Sequence, residues 1–590
     1  MKAAAILGLA LLFTSLGCLP AGAQAARYDW VVAIYVSADN TLSDNVQQDL
    51  DEITSFVSQG SVDVFALVDQ DGVGDSRLLE FGGDSWLDLG LAAINASWGP
   101  ELDMGAPETL RDFVSWADSQ QPECMHALDL WGHGAGWPGV CMDRGSWLTM
   151  PEIECALAGH EPDLLSIDAC QMGMVEVAYQ LRNSADVLVA SEKDVPAEGW
   201  HYGYWLSSIQ FAGVASLAGT LLAQTYMSWA RNHSAYSTTV SVIDLKMMGS
   251  VAQSFSSFAH ELRRSTSLLR NNITSARGTT ERYDGDAEYD LAHLAQNIAS
   301  KGGSRMLAGL TGDLEQAVYG SIVYSDAWTR LGDESAEHAN GLSVWFPLNG
   351  ATPSYRALAL AADTGWAEFL DTYGTYAPAP HYRADLSIQR EDTDGDGAMD
   401  AATLSVDTDA EGVAVFLIDG LPMDSEERTI ASGHASASFT GLPFGTYPVS
   451  AYIYGKDGNL AAIAEPAEEL VIEAWLHVNG TVTDKEGVPI DGAFVEVRWG
   501  DGGRANGTTG EAGRFEVKIL CPTHFVNGTI TASTVGAHPA TADAGGPGEL
   551  NMDLVVEDEK VGLWLPALGI SAFGIYAALL AMLLCQTEKP

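Results

Sequence analysis

The sequence predicts an α/β domain with a mostly parallel central sheet, followed by two β-sandwich modules and a single transmembrane helix. Three observations predict it. Between Tyr28 and about Tyr376, apolar runs of strand length alternate with stretches whose apolar residues recur at helical spacing. After the Pro-containing stretch Ala377-Pro378-Ala379-Pro380, helical periodicity largely stops and short alternating segments with Gly and Pro turns take over. Val561 to Cys585 then runs about 25 residues without a charge, enough to cross a hydrocarbon layer of roughly 30 Å.

Met1-Lys2 and the apolar stretch Ala3 to Leu16, followed by small residues such as Ala21-Gly22-Ala23, read as a signal peptide over residues 1–25. The α/β domain occupies 26–376. Its first strand is Trp30 to Val36, apolar throughout, as a parallel strand buried on both faces should be. A helix over Asp44 to Phe56, a strand over Val62 to Val68 and a helix over Pro107 to Trp116 follow. Ala127 to Trp131, Leu164 to Ile167 and Val187 to Ala190 are further strands. Residues 381–473 form an immunoglobulin-like β-sandwich, with alternation clearest from Gly445 to Tyr454. Residues 474–557 form a second sandwich; Leu476 to Asp484, Gly487-Val488-Pro489-Ile490 and Gly513 to Val517 resemble the small repeats of carboxypeptidase regulatory domains. Both modules serve as spacers between the first domain and a membrane-spanning helix over 561–585.

The formal net charge is −50, from 79 acidic and 29 basic side chains. A nucleic-acid binder needs the opposite sign to neutralise phosphates, so nucleic acid is set aside as a partner. The signal and anchor place the chain at the cell membrane, single-pass, with the α/β domain outside. Six Asn-x-Ser/Thr triplets, at Asn95, Asn232, Asn272, Asn479, Asn506 and Asn527, suit that location. Setting aside Cys18 and Cys585, five cysteines remain: Cys124, Cys141, Cys155, Cys170 and Cys521. Five is odd, so at least one thiol stays unpaired within the chain; Cys141 and Cys155 are candidates for a disulfide with each other or with Cys124.

Two segments carry chemistry. Leu128-Asp129-Leu130-Trp131-Gly132-His133-Gly134 is a strand ending in a His within a Gly-rich turn, and Leu164 to Cys170 is a strand ending in a Cys. In an open parallel sheet functional groups gather beyond the carboxyl ends of the strands, so His133 and Cys170 are expected in one crevice. A thiol of ordinary pKa is mostly protonated at neutral pH; a nearby imidazole takes its proton and later protonates a departing amine. The backbone N–H groups of Gly134 and Cys170 are the expected oxyanion donors. The bland alternative is an apolar filler thiol and a structural His.

Trp131 to Trp137 and Ile167 to Gly173 resemble the His and Cys motifs of the clostripain family. Further matching stretches include Ala38-Asp39-Asn40, Met104 to Leu110, Ala190-Ser191-Glu192, Gly199-Trp200 and Asn340 to Pro347, so the resemblance spans about Tyr28 to Tyr373. It implies a caspase-like sandwich and a cysteine endopeptidase with a His133–Cys170 dyad, no cofactor for catalysis, and polypeptide substrates cut after Arg or Lys. Asp168 matches the family's acidic specificity position, and a carboxylate there pairs well with a guanidinium. Asp194 and Glu198 are candidate second acids. Family members often cleave themselves between the two motifs, where this chain offers only Arg144.

Asp392-Thr393-Asp394-Gly395-Asp396-Gly397-Ala398-Met399-Asp400 follows the calcium-loop pattern, with Asp392, Asp394, Asp396 and Asp400 as ligands of a structural ion, although Thr403 replaces the usual Glu at position twelve. A competing reading of the whole chain is a non-catalytic surface binding or adhesion protein on a peptidase-like fold.

Overall fold

The computed structural model describes residues 29–558 except 56–60, 235, 284–286, 302, 331–335, 376–381, 420–424, 500–502, 522–527, 535–536 and 545–547. The expected signal peptide, the Pro-containing linker, Asn527 and the expected transmembrane helix lie outside the described residues. Among the described residues no helix is long and apolar enough to cross a membrane. The chain divides into two units, Met1–Pro378 and Ala379–Pro590.

The apolar run at the start of the first unit forms β1 (Trp30–Ala38), buried along its whole length. It is followed by β2 (Val62–Gln70), β3 (Arg77–Phe81), β4 (Trp86–Asp88), β5 (Met125–Trp131), β6 (Val140–Asp143), β7 (Ser146–Leu148), β8 (Leu164–Asp168), β9 (Val187–Ala190), β10 (Thr238–Asp244), β11 (Glu288–Asp290), β12 (Ile322–Trp328) and β13 (Ser343–Trp345). Nine of them make one sheet in the order β12-β10-β9-β8-β5-β1-β2-β3-β4. The inner strands β9, β8, β5, β1 and β2 run parallel. The flanking strands β10, β12, β3 and β4 are antiparallel. The sheet is therefore mixed, and the expectation of a mostly parallel sheet holds only for its centre. The reason is local for β3 and β4: the links into them are too short for a crossover helix, so the chain can only turn back.

Helices cover both faces. Trp30, Val32, Ile34 and Val36 share a core with residues of the helices Val46–Thr54, Tyr202–Ile209 and Ala215–His233. On the opposite face Tyr35 packs on Phe113 with ring centroids 6.0 Å apart, and Phe65 packs on Trp116 at 5.0 Å, both within the helix Pro107–Asp118. Burying each such side chain contributes about 1.5–3 kcal/mol. Pro107 opens that helix, where its missing N–H costs nothing.

Apart from the short 3-10 turn Glu511–Gly513, the regular elements of the second unit are strands in the described residues, with two cores. One gathers Leu404, Phe416 and Ile453 between strands from Ala384 to Ile472; the other gathers Val478, Val495, Val517 and Ile530 between strands from Ala474 to Asp558. All five described cysteines are free, so the disulfide expected among Cys124, Cys141 and Cys155 is not formed. Cys141 is buried beside the Trp131 carbonyl, whereas Cys155 is exposed, and the two occupy different environments.

Candidate active site

β5 and β8 pair with Trp131 opposite Asp168, and the Gly132 amide donates to the Asp168 carbonyl at 3.3 Å. His133 and Cys170 each follow two residues past that rung, so the two chains leave the sheet side by side. The approach is close. A β-carbon at Gly134 would fall 2.4 Å from the Cys170 carbonyl oxygen and 3.0 Å from its nitrogen, so only glycine fits. The Cys141 amide donates to the His133 carbonyl at 3.0 Å and fixes the His turn. The Cys turn is tied to the loop after β9, where the Gln171 amide donates to the Lys193 carbonyl at 3.1 Å and the Gly173 amide to the Ser191 carbonyl at 2.7 Å. Gln171 adopts a φ of +63°, a left-handed conformation that costs a non-glycine residue about 1 kcal/mol. Its side-chain amide is anchored on Asp194 Oδ1 at 2.9 Å.

His133 Nε2 lies 2.8 Å from Thr41 Oγ1. Partial burial holds its imidazole below the ordinary value, so it is neutral at pH 7 and able to accept a proton. The Cys170 thiol donates to the Val195 carbonyl at 3.7 Å. Burial first and the Asp194 carboxylate second push that thiol up to about 12. Both groups are therefore neutral at rest, each with its own partner. Proton transfer between them requires the thiol to leave Val195, a small rearrangement of the kind substrate binding commonly brings.

Asp168 is only 4% exposed. Its Oδ2 accepts from the Trp200 amide at 2.8 Å and from the Tyr202 hydroxyl at 3.0 Å. Gly199, at φ +58°, permits that contact, because a β-carbon there would fall 2.4 Å from Asp168 Oδ2. Of the two further acids expected nearby, Asp194 and Glu198 are both exposed. Asp194 acts on the Cys170 thiol, and Glu198 acts on the Tyr226 phenol, which Asp168 and Cys170 also face.

In the second unit Asp392, Asp394 and Asp396 gather carboxylate oxygens within 4.8 Å of one another. Asp400, the fourth expected ligand, is not among them. Its two oxygens accept from the Thr393 amide at 2.8 Å and the Thr393 hydroxyl at 2.5 Å.

Several residues escaped sequence reasoning. Asp129 carried a signal, being a carboxylate in the middle of the apolar run Ala127 to Trp131; Thr41 and Tyr202 carried none. Asp69, fully buried at the end of β2, lies in carboxylate groups with Asp39 and Asp143 and with Asp75 and Glu101. Arg144 pairs with Asp39 and Glu101 of that cluster. A cleft of about 300 Å³ lined by Asp163, Arg182, Asp186 and Lys246 sits at the opposite, amino-terminal ends of β8 and β9, away from these groups.

An α/β sandwich that brings an imidazole and a thiol to adjoining parallel strand ends has the layout of a cysteine peptidase. The chain belongs to the clostripain family of cysteine peptidases, whose model matches residues 34–349. Clostripain of Hathewaya histolytica is 25% identical over 399 residues, which cover 54% of this chain and 74% of that protein. Among solved structures, a secreted C11 cysteine protease from Bacteroides thetaiotaomicron, bound to an irreversible peptide inhibitor, has a TM-score of 0.47 at 18% identity, covering 58% of this chain and 99% of that one. An inactive zymogen C11 protease from Parabacteroides distasonis has a TM-score of 0.46 at 18% identity, with the same coverages of 58% and 99%.

Proposed function

We propose that this peptidase is an exported, membrane-anchored endopeptidase that cuts after Arg or Lys, with Cys170 as nucleophile, His133 as its base and acid, and Asp168 at the floor of the specificity pocket. The observation that carries the reading is the fit of Gly134 against the Cys170 backbone, which leaves no room for a β-carbon between them. In the proposed reaction the neutral imidazole takes the thiol proton and the thiolate attacks the scissile carbonyl. The N–H groups of Gly134 and Cys170 meet the oxyanion as it forms. The imidazolium protonates the leaving amine, and water then releases the acyl group by the reverse path. Asp168, with Asp194 and Glu198 supplying negative potential, favours a cationic side chain in the pocket.

The test is hydrolysis of fluorogenic peptides by the full chain, scanned over every residue at the cleaved position. Turnover confined to Arg and Lys, and absent in Cys170→Ala, supports the proposal; retained turnover in that variant defeats the nucleophile assignment. Export and anchoring rest on residues 1–25 and 561–585 and predict recovery of the protein in the membrane fraction with its peptidase unit open to added protease. Calcium at the turn of the second unit would be held by Asp392, Asp394 and Asp396, where carboxylates suit a hard cation. Thermal unfolding with and without calcium, on the natural chain and on Asp394→Asn, decides that point.

A further inference from the structure

Asp129 does not belong where it stands unless something uses it. It lies within β5, 0% exposed, in a run that is otherwise apolar. Its Oδ1 accepts from the Ser166 hydroxyl. Its Oδ2 accepts from the Tyr202 hydroxyl at 2.7 Å, and that same hydroxyl reaches Asp168 Oδ2 at 3.0 Å. One phenolic hydrogen thus serves two buried carboxyl groups on neighbouring strands. Two like charges joined through one oxygen and shielded from water cannot both be ionised cheaply, so the empty site keeps a proton.

We infer that Asp129 and Tyr202 are specificity-determining partners of Asp168: together they hold one proton in the empty pocket and release it when a cationic side chain enters. The inference rests on the reading of Asp168 as the pocket acid and adds the device that sets its charge. The change balances simply. A carboxyl O–H bond breaks, the proton passes to solvent, and the guanidinium or ammonium of the substrate takes over its positive charge beside the new carboxylate.

The surroundings agree. Burial raises both acids, and the Asp129 charge raises Asp168 further. Each acid has two donors, Asp129 the Ser166 and Tyr202 hydroxyls and Asp168 the Trp200 amide and the Tyr202 hydroxyl, so the pair titrates as a unit and holds the one proton jointly. The other titratable groups facing the pair are Asp49 and Glu52 from the helix Val46–Thr54, Tyr226 from the helix Ala215–His233, Cys141 from β6, and Cys170. None of these is a cation, so nothing among them replaces the proton before a cationic side chain arrives.

Two measurements test this. Titration calorimetry of full-length Cys170→Ala with a blocked Arg-containing peptide, in buffers of different ionisation enthalpy, should show proton release close to one per peptide at mildly acidic pH. The same peptide with citrulline in place of Arg should release none. In the active enzyme, the ratio of kcat/KM for the Arg over the citrulline peptide should climb with pH. Asp129→Asn removes the charge that retains the proton, so its ratio at pH 5.5 should exceed the wild-type ratio by roughly tenfold, one pKa unit's worth. Tyr202→Phe removes a donor from ionised Asp168, so its ratio should move the other way. A purely structural role would lower both substrates together and leave the ratio unmoved. No proton release together with a pH-independent ratio overturns the inference while Arg preference stands. Equal rates on Arg and citrulline peptides would instead overturn the pocket assignment, and this inference with it. Should Asp129→Asn not fold, proton release and Tyr202→Phe still decide.

Discussion

Gly134 and Cys170, from the turns after neighbouring strands, touch so closely that a β-carbon on the first would lie 2.4 Å from the carbonyl oxygen of the second. The contact holds the His turn against the Cys turn. Gly134→Ala must push the turns apart. Its kcat/KM is expected to fall about 100-fold, the usual consequence of misplacing reacting groups by an ångström, with little change in circular dichroism. Wild-type kinetics in that variant would show that the approach is incidental.

Thr41 engages His133 Nε2 at 2.8 Å and so fixes the orientation of the proposed catalytic ring. A single hydrogen bond contributes about 1 kcal/mol net, so Thr41→Val should lower kcat roughly five- to tenfold with KM nearly unchanged. An equal effect on KM alone would place Thr41 in substrate binding instead.

The resting thiol is pushed up to about 12 by burial and Asp194, and the His133 imidazole is held below its ordinary value. Neither pull creates a thiolate–imidazolium pair. Alkylation of Cys170 by iodoacetamide in the free enzyme, followed by peptide mass spectrometry, should therefore rise steadily from pH 7 to pH 10. A plateau reached near neutrality would mean that an ion pair pre-exists.

Asp49 offers a stability test independent of catalysis. Its Oδ2 accepts from the Trp131 indole at 2.8 Å, and burial, aided by the Asp168 and Glu52 charges, pushes its carboxyl up to about 9. An acid raised in the folded state supports the fold fully below its unfolded value near 4 and loses that support as pH rises toward 9. Asp49→Asn imitates the protonated form and removes this dependence. Its advantage over the natural protein should grow by up to about 1 kcal/mol per pH unit between pH 5 and pH 8 in urea unfolding. A difference independent of pH would show that Asp49 is already ionised in the fold.

Much of this arrangement can be read from the amino-acid order. Inner parallel strands are buried on both faces, so Trp30 to Val36 and Val62 to Val68 appear as unbroken apolar runs. The edge strand Ile322–Trp328 is only partly buried and mixes polar with apolar residues, so it leaves no such trace. His133 and Cys170 stand at legible strand ends, whereas their supports come from far along the chain. Thr41 is 92 residues from His133, and Tyr202 is 73 residues from Asp129. Only the folded sheet brings those side chains together. The calcium-like spacing from Asp392 to Asp400 likewise said nothing of Thr393, whose amide and hydroxyl engage Asp400.

The most direct measurement is covalent labelling of the full chain with a peptidyl chloromethyl ketone ending in Arg, mapped by mass spectrometry across Cys124, Cys141, Cys155, Cys170 and Cys521. A single adduct on Cys170, lost in His133→Ala and suppressed by excess Arg peptide, is the predicted result. Inhibition with Cys170 unmodified, or equal labelling of Cys170 when His133 is gone, would contradict the pairing of these two residues.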